Sequence, residues 1–355
     1  MKTRRLADSR RLINAILIAT IALSGGMASA QQKEPLKLIK SVPLPALKDG
    51  DFDHFTADVE GKRLFAAAEE NSKLLVFNLD SGELLQTVSD LKAPHSMVYR
   101  NDLKKLFVVD GDLGKIRMYN ASGAMLKSAG DIDLREGADS MTYDAATKYM
   151  YVITGGDDAK MPNSYITIVD TTAAKKIGDI KLDSPDVEAM VLEKGGPRLF
   201  VVIRGNNALE VFDREKQTKL ATWPLGKDGA KPTALAFDPE ANRLFVAARG
   251  AKAPNPGKLQ VVDASSGQVV TSAPATAMVD DLGFNPANKE LFYAGNESLD
   301  VFKEAGPDKI DLVAKVPTAF RAKTGVLVPE LKRYYLGVPR HETKSAELRI
   351  YEVVP

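Results

Sequence analysis

The chain has 355 residues, of which 48 are lysine or arginine, 47 are aspartate or glutamate, and none is cysteine. The absence of cysteine excludes disulfide bonds, thiolate metal ligands, a cysteine nucleophile and a lipid anchor at a lipoprotein cysteine. The near balance of charge lacks the basic excess by which nucleic-acid-binding proteins are usually recognised.

The first 30 residues have the order of an export signal peptide. A basic start, MKTRRLADSRR, precedes a short apolar run at residues 12–23 and then the small residues Ala28-Ser29-Ala30. The run is too short, and too interrupted by Asn14 and Thr20, to read as a membrane-spanning helix; an uncleaved anchor is the less favoured alternative. We expect cleavage near Ala30, by the general rather than the twin-arginine route, and a periplasmic or secreted protein without membrane insertion.

The rest of the chain repeats one short apolar word seven times, at intervals of 42 to 49 residues. A period in this range, carried by short β-rich runs, is typical of one propeller blade per repeat. We therefore predict an all-β, seven-bladed propeller of four-stranded antiparallel blades, with almost no helix. The words are Leu64-Phe65, Leu106-Phe107, Met150-Tyr151, Leu199-Phe200, Leu244-Phe245, Leu291-Phe292 and Tyr334-Tyr335.

One propeller domain is predicted over residues 31–355, with turns such as Asp238-Pro239 and Ser266-Gly267 between its strands. The last repeat lacks an outer strand, and residues 37–44 (KLIKSVPL) resemble the outer strands of other repeats. We predict that this segment completes the last blade and removes an exposed sheet edge. The predicted blades are near residues 52–88, 94–134, 138–182, 187–225, 231–273, 279–318, and 321–355 together with 37–44.

These repeats resemble a known group of propellers. The pattern L-F-V-A, followed by L-x-V-V-D-x-x-S-G-x-V-V as in residues 244–270, is similar to that of the YVTN/YncE-like seven-bladed propellers, over residues 36–355. The resemblance extends to the larger quinoprotein amine dehydrogenase subunits, whose propellers are scaffolds. It implies a periplasmic or secreted binding or surface protein, with single-stranded DNA binding in some members. It implies no catalytic residue, because none here matches a catalytic motif.

Counting back 11 residues from each word predicts the start of each inner strand, where ionisable residues recur. Such a ring is either a solvated rim or the mouth of a ligand site. The residues that follow are mostly apolar or small. The seven predicted starting residues are Asp53, His95, Asp139, Glu188, Thr233, Asp280 and Lys323.

The loops between the second and third strands are predicted to lie on the same face. They place Arg204, Arg249 and Arg340 on blades 4, 5 and 7, and those at residues 155–164, 249–258 and 339–347 are the longest. Long loops on one face usually mark the working face, although they also occur as variable surface loops.

The sequence contains only three histidines, and the register places His54, His95 and His341 on this one face. With Asp53 they could hold a divalent metal or act in acid–base chemistry; hydrogen-bonded rim histidines are the favoured alternative. Because neighbouring side chains alternate along a strand, at most one of Asp53 and His54 is expected to face the channel. No cofactor is predicted, and His95, His341 and Asp53 are the weak candidates for a metal.

Three functions remain open at this point. We favour a non-enzymatic binding or scaffold propeller that holds a small anionic molecule, a peptide or a protein partner at the channel mouth, and we expect a monomer. The alternatives are a lactonase-like hydrolase with a channel-mouth metal or His/carboxylate pair, and binding of single-stranded DNA. Without residues 1–30 the chain carries 43 basic and 46 acidic residues, which argues against nucleic acid. The predicted ligand-binding residues are Asp53, His54, His95, Asp139, Glu188, Arg204, Arg249, Asp280, Lys323, Arg340 and His341.

Overall fold

The computed structural model describes residues 34–250 and 256–354, which form 28 β-strands. The predicted signal peptide lies outside the described residues. The described helices are 3₁₀ turns of three residues each, at Glu69–Asn71, Arg204–Asn206, Lys227–Gly229 and Pro329–Leu331. No helix in this part of the chain has the length and apolarity needed to cross a membrane.

The strands form seven antiparallel sheets of four strands, so the predicted seven-bladed propeller is confirmed. In blades 1 to 6 the four strands follow one another in sequence order from the channel outward. Blade 1 contains β2 (Phe55–Asp58), β3 (Arg63–Ala68), β4 (Lys73–Asn78) and β5 (Leu84–Val88); blade 2 contains β6 (Pro94–Arg100), β7 (Lys105–Asp110), β8 (Lys115–Asn120) and β9 (Lys127–Asp133); blade 3 contains β10 (Met141–Asp144), β11 (Tyr149–Gly155), β12 (Ser164–Asp170) and β13 (Lys175–Lys181).

The next three blades repeat this arrangement. Blade 4 contains β14 (Val187–Leu192), β15 (Arg198–Ile203), β16 (Ala208–Asp213) and β17 (Thr218–Pro224); blade 5 contains β18 (Pro232–Asp238), β19 (Arg243–Ala248), β20 (Gly257–Asp263) and β21 (Val269–Ala275); blade 6 contains β22 (Asp281–Asn285), β23 (Glu290–Gly295), β24 (Ser298–Gly306) and β25 (Lys309–Pro317).

Blade 7 is built from both ends of the chain, as predicted. It contains β26 (Thr324–Val328), β27 (Arg333–Val338) and β28 (Ala346–Val353), and β1 (Leu36–Leu44) is its outermost strand. β1 pairs antiparallel with β28 from Leu36 opposite Val353 to Leu44 opposite Ala346. The first strands of successive blades contact one another, including β26 with β2, so the ring is closed.

The repeated apolar word lies in the second strand of each blade, which is buried on both faces. In β3, Leu64 and Ala66 belong to a core shared with Tyr335 of blade 7. Phe65 points the other way, into a core shared with Leu106 of blade 2. Because side chains alternate along a strand, one apolar run supplies the cores on both sides of its blade.

Candidate functional site

A cavity of about 390 Å³ lies where the first strands of the blades begin. Every blade contributes to it through equivalent positions, because each first strand enters the ring at the same end. Its lining comprises residues 53–55, 95–97, 139–141, 188–190, 233–235 and 280–282 from blades 1 to 6, Lys323 from blade 7, and Glu69 and Arg249 from the loops after β3 and β19. We refer to it as the central cavity.

The central cavity brings together eight of the eleven residues proposed from the sequence. Apolar side chains two positions further along the first strands line the same cavity, so its wall changes from ionisable to apolar along those strands. The eight are Asp53, His54, His95, Asp139, Glu188, Arg249, Asp280 and Lys323, and the apolar side chains are Phe55, Met97, Met141, Met190, Leu235 and Leu282.

The remaining three predicted site residues do not line the central cavity. Arg204 forms ion pairs with Glu188 and with Asp186, the latter at 2.5 Å between Nε and Oδ1. Arg340 donates hydrogen bonds to the backbone carbonyls of Leu47 and Pro45, each at 2.8 Å. Neither guanidinium group lines the central cavity, so the prediction that they line the ligand site is corrected.

His341 also lies apart from the other two histidines, so the three do not form one metal or acid–base cluster. Its ring packs on that of Phe320 with centroids 4.3 Å apart, in a separate cavity that also includes Lys344. The loop after β27 folds back through a backbone bridge between His341 and Lys344, and this holds the imidazole at that second cavity.

Asp53 and His54 both line the central cavity, which contradicts the prediction that only one of them would do so. Regular pairing of β2 starts at Phe55, so strict alternation does not extend to the two residues before it. The carboxylate of Asp53 accepts a hydrogen bond from the backbone N–H of His54 at 2.7 Å, which stabilises this irregular turn. Asp280 precedes β22 and Asp281 begins it, and both also line the cavity.

Two carboxylates of the cavity were missing from the proposed site. Glu69 comes from the loop after β3, at the position that holds an arginine in blades 4 and 5. This equivalence in the repeat could have predicted that Glu69 lies at the cavity. Asp281 directly follows the predicted site residue Asp280, and its place in the cavity is evident only from the structure.

Five of the cavity side chains form a continuous network, which we call the histidine network: Asp139, His95, Asp53, His54 and Asp281. His95 Nδ1 lies 2.5 Å from Asp53 Oδ2 and 3.5 Å from Asp139 Oδ1. His54 Nδ1 lies 2.8 Å from Asp281 Oδ1, and its Nε2 lies 3.4 Å from Asp53 Oδ1. The network crosses the channel, since it joins blades 3, 2 and 1 to blade 6.

Both imidazoles of the network are cationic at neutral pH. Burial opposes the charged form of His95, but the charge of Asp139 and the hydrogen bond with Asp53 raise its pKa to about 10. Burial likewise opposes the charged form of His54, yet the charges of Asp281 and Asp53 raise its pKa well above 6.5. In this form both imidazoles donate hydrogen bonds to the carboxylates of the histidine network.

The carboxylates of the cavity differ in their protonation. Burial acts to raise the pKa of Asp53, but the charge of His54 and the hydrogen bond with His95 lower it well below 3.8. Burial dominates at two other positions, where it raises the pKa of Asp139 to about 6 and that of Glu69 to about 7. Asp53 is therefore a fixed anion, whereas Glu69 and Asp139 change charge near neutral pH.

The opposite side of the cavity carries two cations around one carboxylate. Arg249 forms an ion pair with Asp280, and its Nε donates to the carbonyl of Val279 at 2.7 Å. Lys323 Nζ lies 2.6 Å from the second oxygen of Asp280 and 3.3 Å from Asp51. Burial opposes the charged form of Lys323, but Asp280 raises its pKa, so its amine stays protonated.

Asp53, Glu69 and His95 are the residues of the cavity that could hold a metal ion. Each offers one oxygen or nitrogen atom, and the three atoms lie within 4.8 Å of one another. His341, one of the weak metal candidates from the sequence, is not part of this group.

Comparison with solved structures supports the fold. The chain is similar to a chain of the crystal structure of the mitotic checkpoint complex, with a TM-score of 0.70 and 15% identity over 100% of both chains. It is also similar to the hydrazine synthase of Kuenenia stuttgartiensis, with a TM-score of 0.67 and 12% identity over 82% of this chain and 93% of that one. No protein-family model matches the sequence, and no curated protein matches it significantly.

At these identities the structural likeness establishes a β-propeller and nothing finer. The chain is a seven-bladed β-propeller repeat protein.

Proposed function

We propose that this chain is a non-enzymatic binding propeller that holds a small anionic or zwitterionic molecule, or the end of a peptide, in the central cavity. The observation that carries the proposal is the ring of largely buried ionisable side chains at the start of the first strands, with apolar side chains two positions further along those strands. Concave sites of this kind, with a few convergent polar groups, are the usual form of small-molecule sites.

The volume of the cavity supports a small ligand. At about 390 Å³ it lies within the range of about 300–1,000 Å³ typical of small-molecule pockets. A folded protein partner could insert only a side chain or a chain end into it. A peptide terminus is therefore the form in which a larger partner would occupy the cavity.

The distribution of charge favours a ligand that carries both signs or that binds as an anion beside the cations. Arg249 and Lys323 lie together on blades 5 and 7, whereas Asp53, Glu69 and Asp139 lie on blades 1 and 3. Carboxylate or phosphate groups of a ligand would bind the cations through charge-assisted hydrogen bonds, and an amine would face the acidic side. The protein would then fix the orientation of the ligand as well as its position.

We further propose kinship with the YVTN/YncE-like propellers and a periplasmic or secreted location. The repeated apolar words and the signal-like order of residues 1–30 support both. Expression of the full chain in a Gram-negative host, followed by N-terminal sequencing of the periplasmic fraction, tests the location. We expect Gln31 as the first residue; recovery of the intact chain in the cytoplasm contradicts export.

A hydrolase is the second candidate, and one observation favours it: the convergence of Asp53, Glu69 and His95 in the cavity. Turnover of a simple lactone that is abolished by a chelator would replace the binding proposal with this one. Single-stranded DNA is less well supported, because six carboxylates line the cavity and stacking platforms are aromatic.

The binding proposal is tested by comparing an arginine that lines the central cavity, Arg249, with one that does not, Arg340. Native mass spectrometry of the undialysed protein identifies a co-purified compound; dicarboxylates, amino acids and tripeptides are screened in parallel by thermal shift. Arg249→Ala should weaken binding of the compound found at least tenfold, because it removes a cation from the cavity. Arg340→Ala, which changes an arginine outside the cavity, should change the affinity for that compound less than twofold. An empty cavity and no thermal shift, or equal effects of the two variants, contradict the proposal.

A further inference from the structure

Three side chains on one side of the central cavity converge within reach of a single ion. Asp53 and His95 come from the starts of the first strands of blades 1 and 2, and Glu69 comes from the loop after β3. Their ligand atoms lie within 4.8 Å of one another. Atoms that bind a shared ion at about 2.0–2.2 Å are about 3–4 Å apart, so small side-chain rotations would complete the site.

Glu69 differs from the other loop and rim carboxylates in what neutralises it. Glu188 is paired with Arg204, and Asp280 is paired with Arg249 and Lys323. Among the described residues, the Glu69 carboxylate has no hydrogen bond and no ion pair. Its position in the cavity wall leaves it directed at space that a ligand or ion can enter.

We infer that Asp53, Glu69 and His95 bind one divalent transition-metal ion, such as Mn²⁺ or Zn²⁺, with coordination positions open to the central cavity. Two carboxylates and an imidazole are a mixed oxygen and nitrogen set that suits these ions. On binding, the ion takes the lone pair of His95, and the proton that the imidazole shares with Asp53 leaves to solvent.

This inference deepens the proposed function and rests on it for the choice of ligand. Three protein ligands leave positions that carboxylate or hydroxyl oxygens of a small molecule can fill. Such a molecule, a hydroxy acid for example, would reach from the ion toward Arg249 and Lys323. The ion would thereby turn the acidic side of the cavity into a second anchor for an anionic ligand.

In the test, chelator-stripped protein is titrated with a single metal ion. Binding of Mn²⁺ is monitored by electron paramagnetic resonance, and binding of Zn²⁺ is measured by calorimetry. We expect one ion per chain. Glu69→Gln and His95→Gln should each weaken binding at least tenfold, since each removes a ligand. His341→Gln and Glu215→Gln, which change the same residue types outside the cavity, should leave affinity within twofold. Circular dichroism confirms that each variant is folded; Glu69→Gln lies in a loop and keeps the side-chain shape.

Binding below a tenth of an equivalent, or equal affinity in the wild type and in Glu69→Gln, overturns the inference. The two proposals fail separately. If a small ligand binds with Arg249-dependent affinity in the absence of any metal, the metal site is wrong and the binding function stands. If one ion binds with the expected variant pattern but no ligand is found, the metal site stands and the binding function is wrong.

Discussion

At the scale of single residues, carboxylates at equivalent positions of the repeat differ in what surrounds them. Glu188 and Asp280 lie at equivalent positions near the starts of first strands, and each has a guanidinium partner. Asp139 occupies the same position in blade 3 but faces only an imidazole, at 3.5 Å. Burial outweighs the charge of that imidazole and raises the pKa of Asp139 to about 6.

A carboxylate outside the cavity gives a prediction of pH dependence. Burial and the neighbouring Asp238 raise the pKa of Glu304 from 4.5 to about 7, so the folded state holds this proton more tightly than the unfolded state does. The stability contributed by the neutral form is present below pH 4.5 and is lost as pH rises through 7. Glu304→Gln should stabilise the protein at pH 8 by about 1 kcal/mol, a value reduced for partial solvent exposure.

Chemical denaturation at pH 4.5 and pH 8 checks this. The advantage of Glu304→Gln over the wild type should be present at pH 8 and should disappear at pH 4.5. Glu215→Gln, at an exposed position, is the matched control and should show no such difference. An advantage of equal size at both pH values would mean that ionisation of Glu304 is not its cause.

At the scale of elements, an arginine directly before the apolar word links four of the seven blades to the next one. Arg63, at the start of β3, forms an ion pair with Asp58 at 2.6 Å and donates to the carbonyl of Ala121 in blade 2 at 2.7 Å. The arginines that begin β15, β19 and β27 likewise donate to backbone carbonyls in the turn between the third and fourth strands of the following blade. The sheets are thus joined by side-chain to backbone hydrogen bonds as well as by their shared cores.

The closing strand β1 gives the prediction at this scale. Deletion of residues 34–44 removes the buried side chains of Leu36 and Leu44 and leaves the edge of β28 unpaired. We expect the melting temperature to fall by roughly 10 °C or more, since a loss of several kcal/mol shifts it by a few degrees for each kcal/mol. We also expect self-association through the open edge.

Calorimetry and size-exclusion chromatography measure both effects. A synthetic peptide of residues 34–44, added in excess, should restore the melting temperature and the monomeric elution volume. A peptide in which both leucines are replaced by aspartate should not. An unchanged melting temperature after the deletion would show that β1 does not hold the ring closed.

At the scale of the whole molecule, the two ends of the described chain meet in one blade while the central cavity uses all seven. The backbone N–H of Val354 donates to the carbonyl of Pro35 at 2.8 Å, so the ends can be joined by a short linker. The ring has no fixed starting blade, because each blade packs on its neighbours through equivalent strands.

A circular permutant is therefore expected to fold. Joining Val354 to Glu34 through a short glycine linker, with new ends between Gly195 and Gly196, opens the turn between β14 and β15. That turn is a suitable place because Gly195 is exposed and a side chain there would meet nothing within 4 Å. The permutant should keep a cooperative thermal transition, lowered by no more than about 10 °C. A molten, non-cooperative transition in calorimetry would contradict this.

Much of the site could be predicted because the repeat imposes a register. Counting back from the apolar words brought Asp53, His95, Asp139, Glu188, Asp280 and Lys323 to one cavity, with no knowledge of contacts. The count was less successful for loop residues: Arg249 lines the cavity, but Arg204 and Arg340 do not. The orientation of a loop side chain depends on the local turn and on nearby backbone carbonyls, and these do not recur with the period of the repeat.

The sequence by itself determined the all-β class, the number of blades and the closing strand, because each follows from local patterns that recur with a fixed period. Only the tertiary structure decided which ionisable side chains neutralise one another. His54 and Asp281 form an ion pair although they are 227 residues apart, and the turn at Asp53 departs from strand alternation. Pairing across a channel depends on distances between blades, and a one-dimensional pattern does not contain those distances.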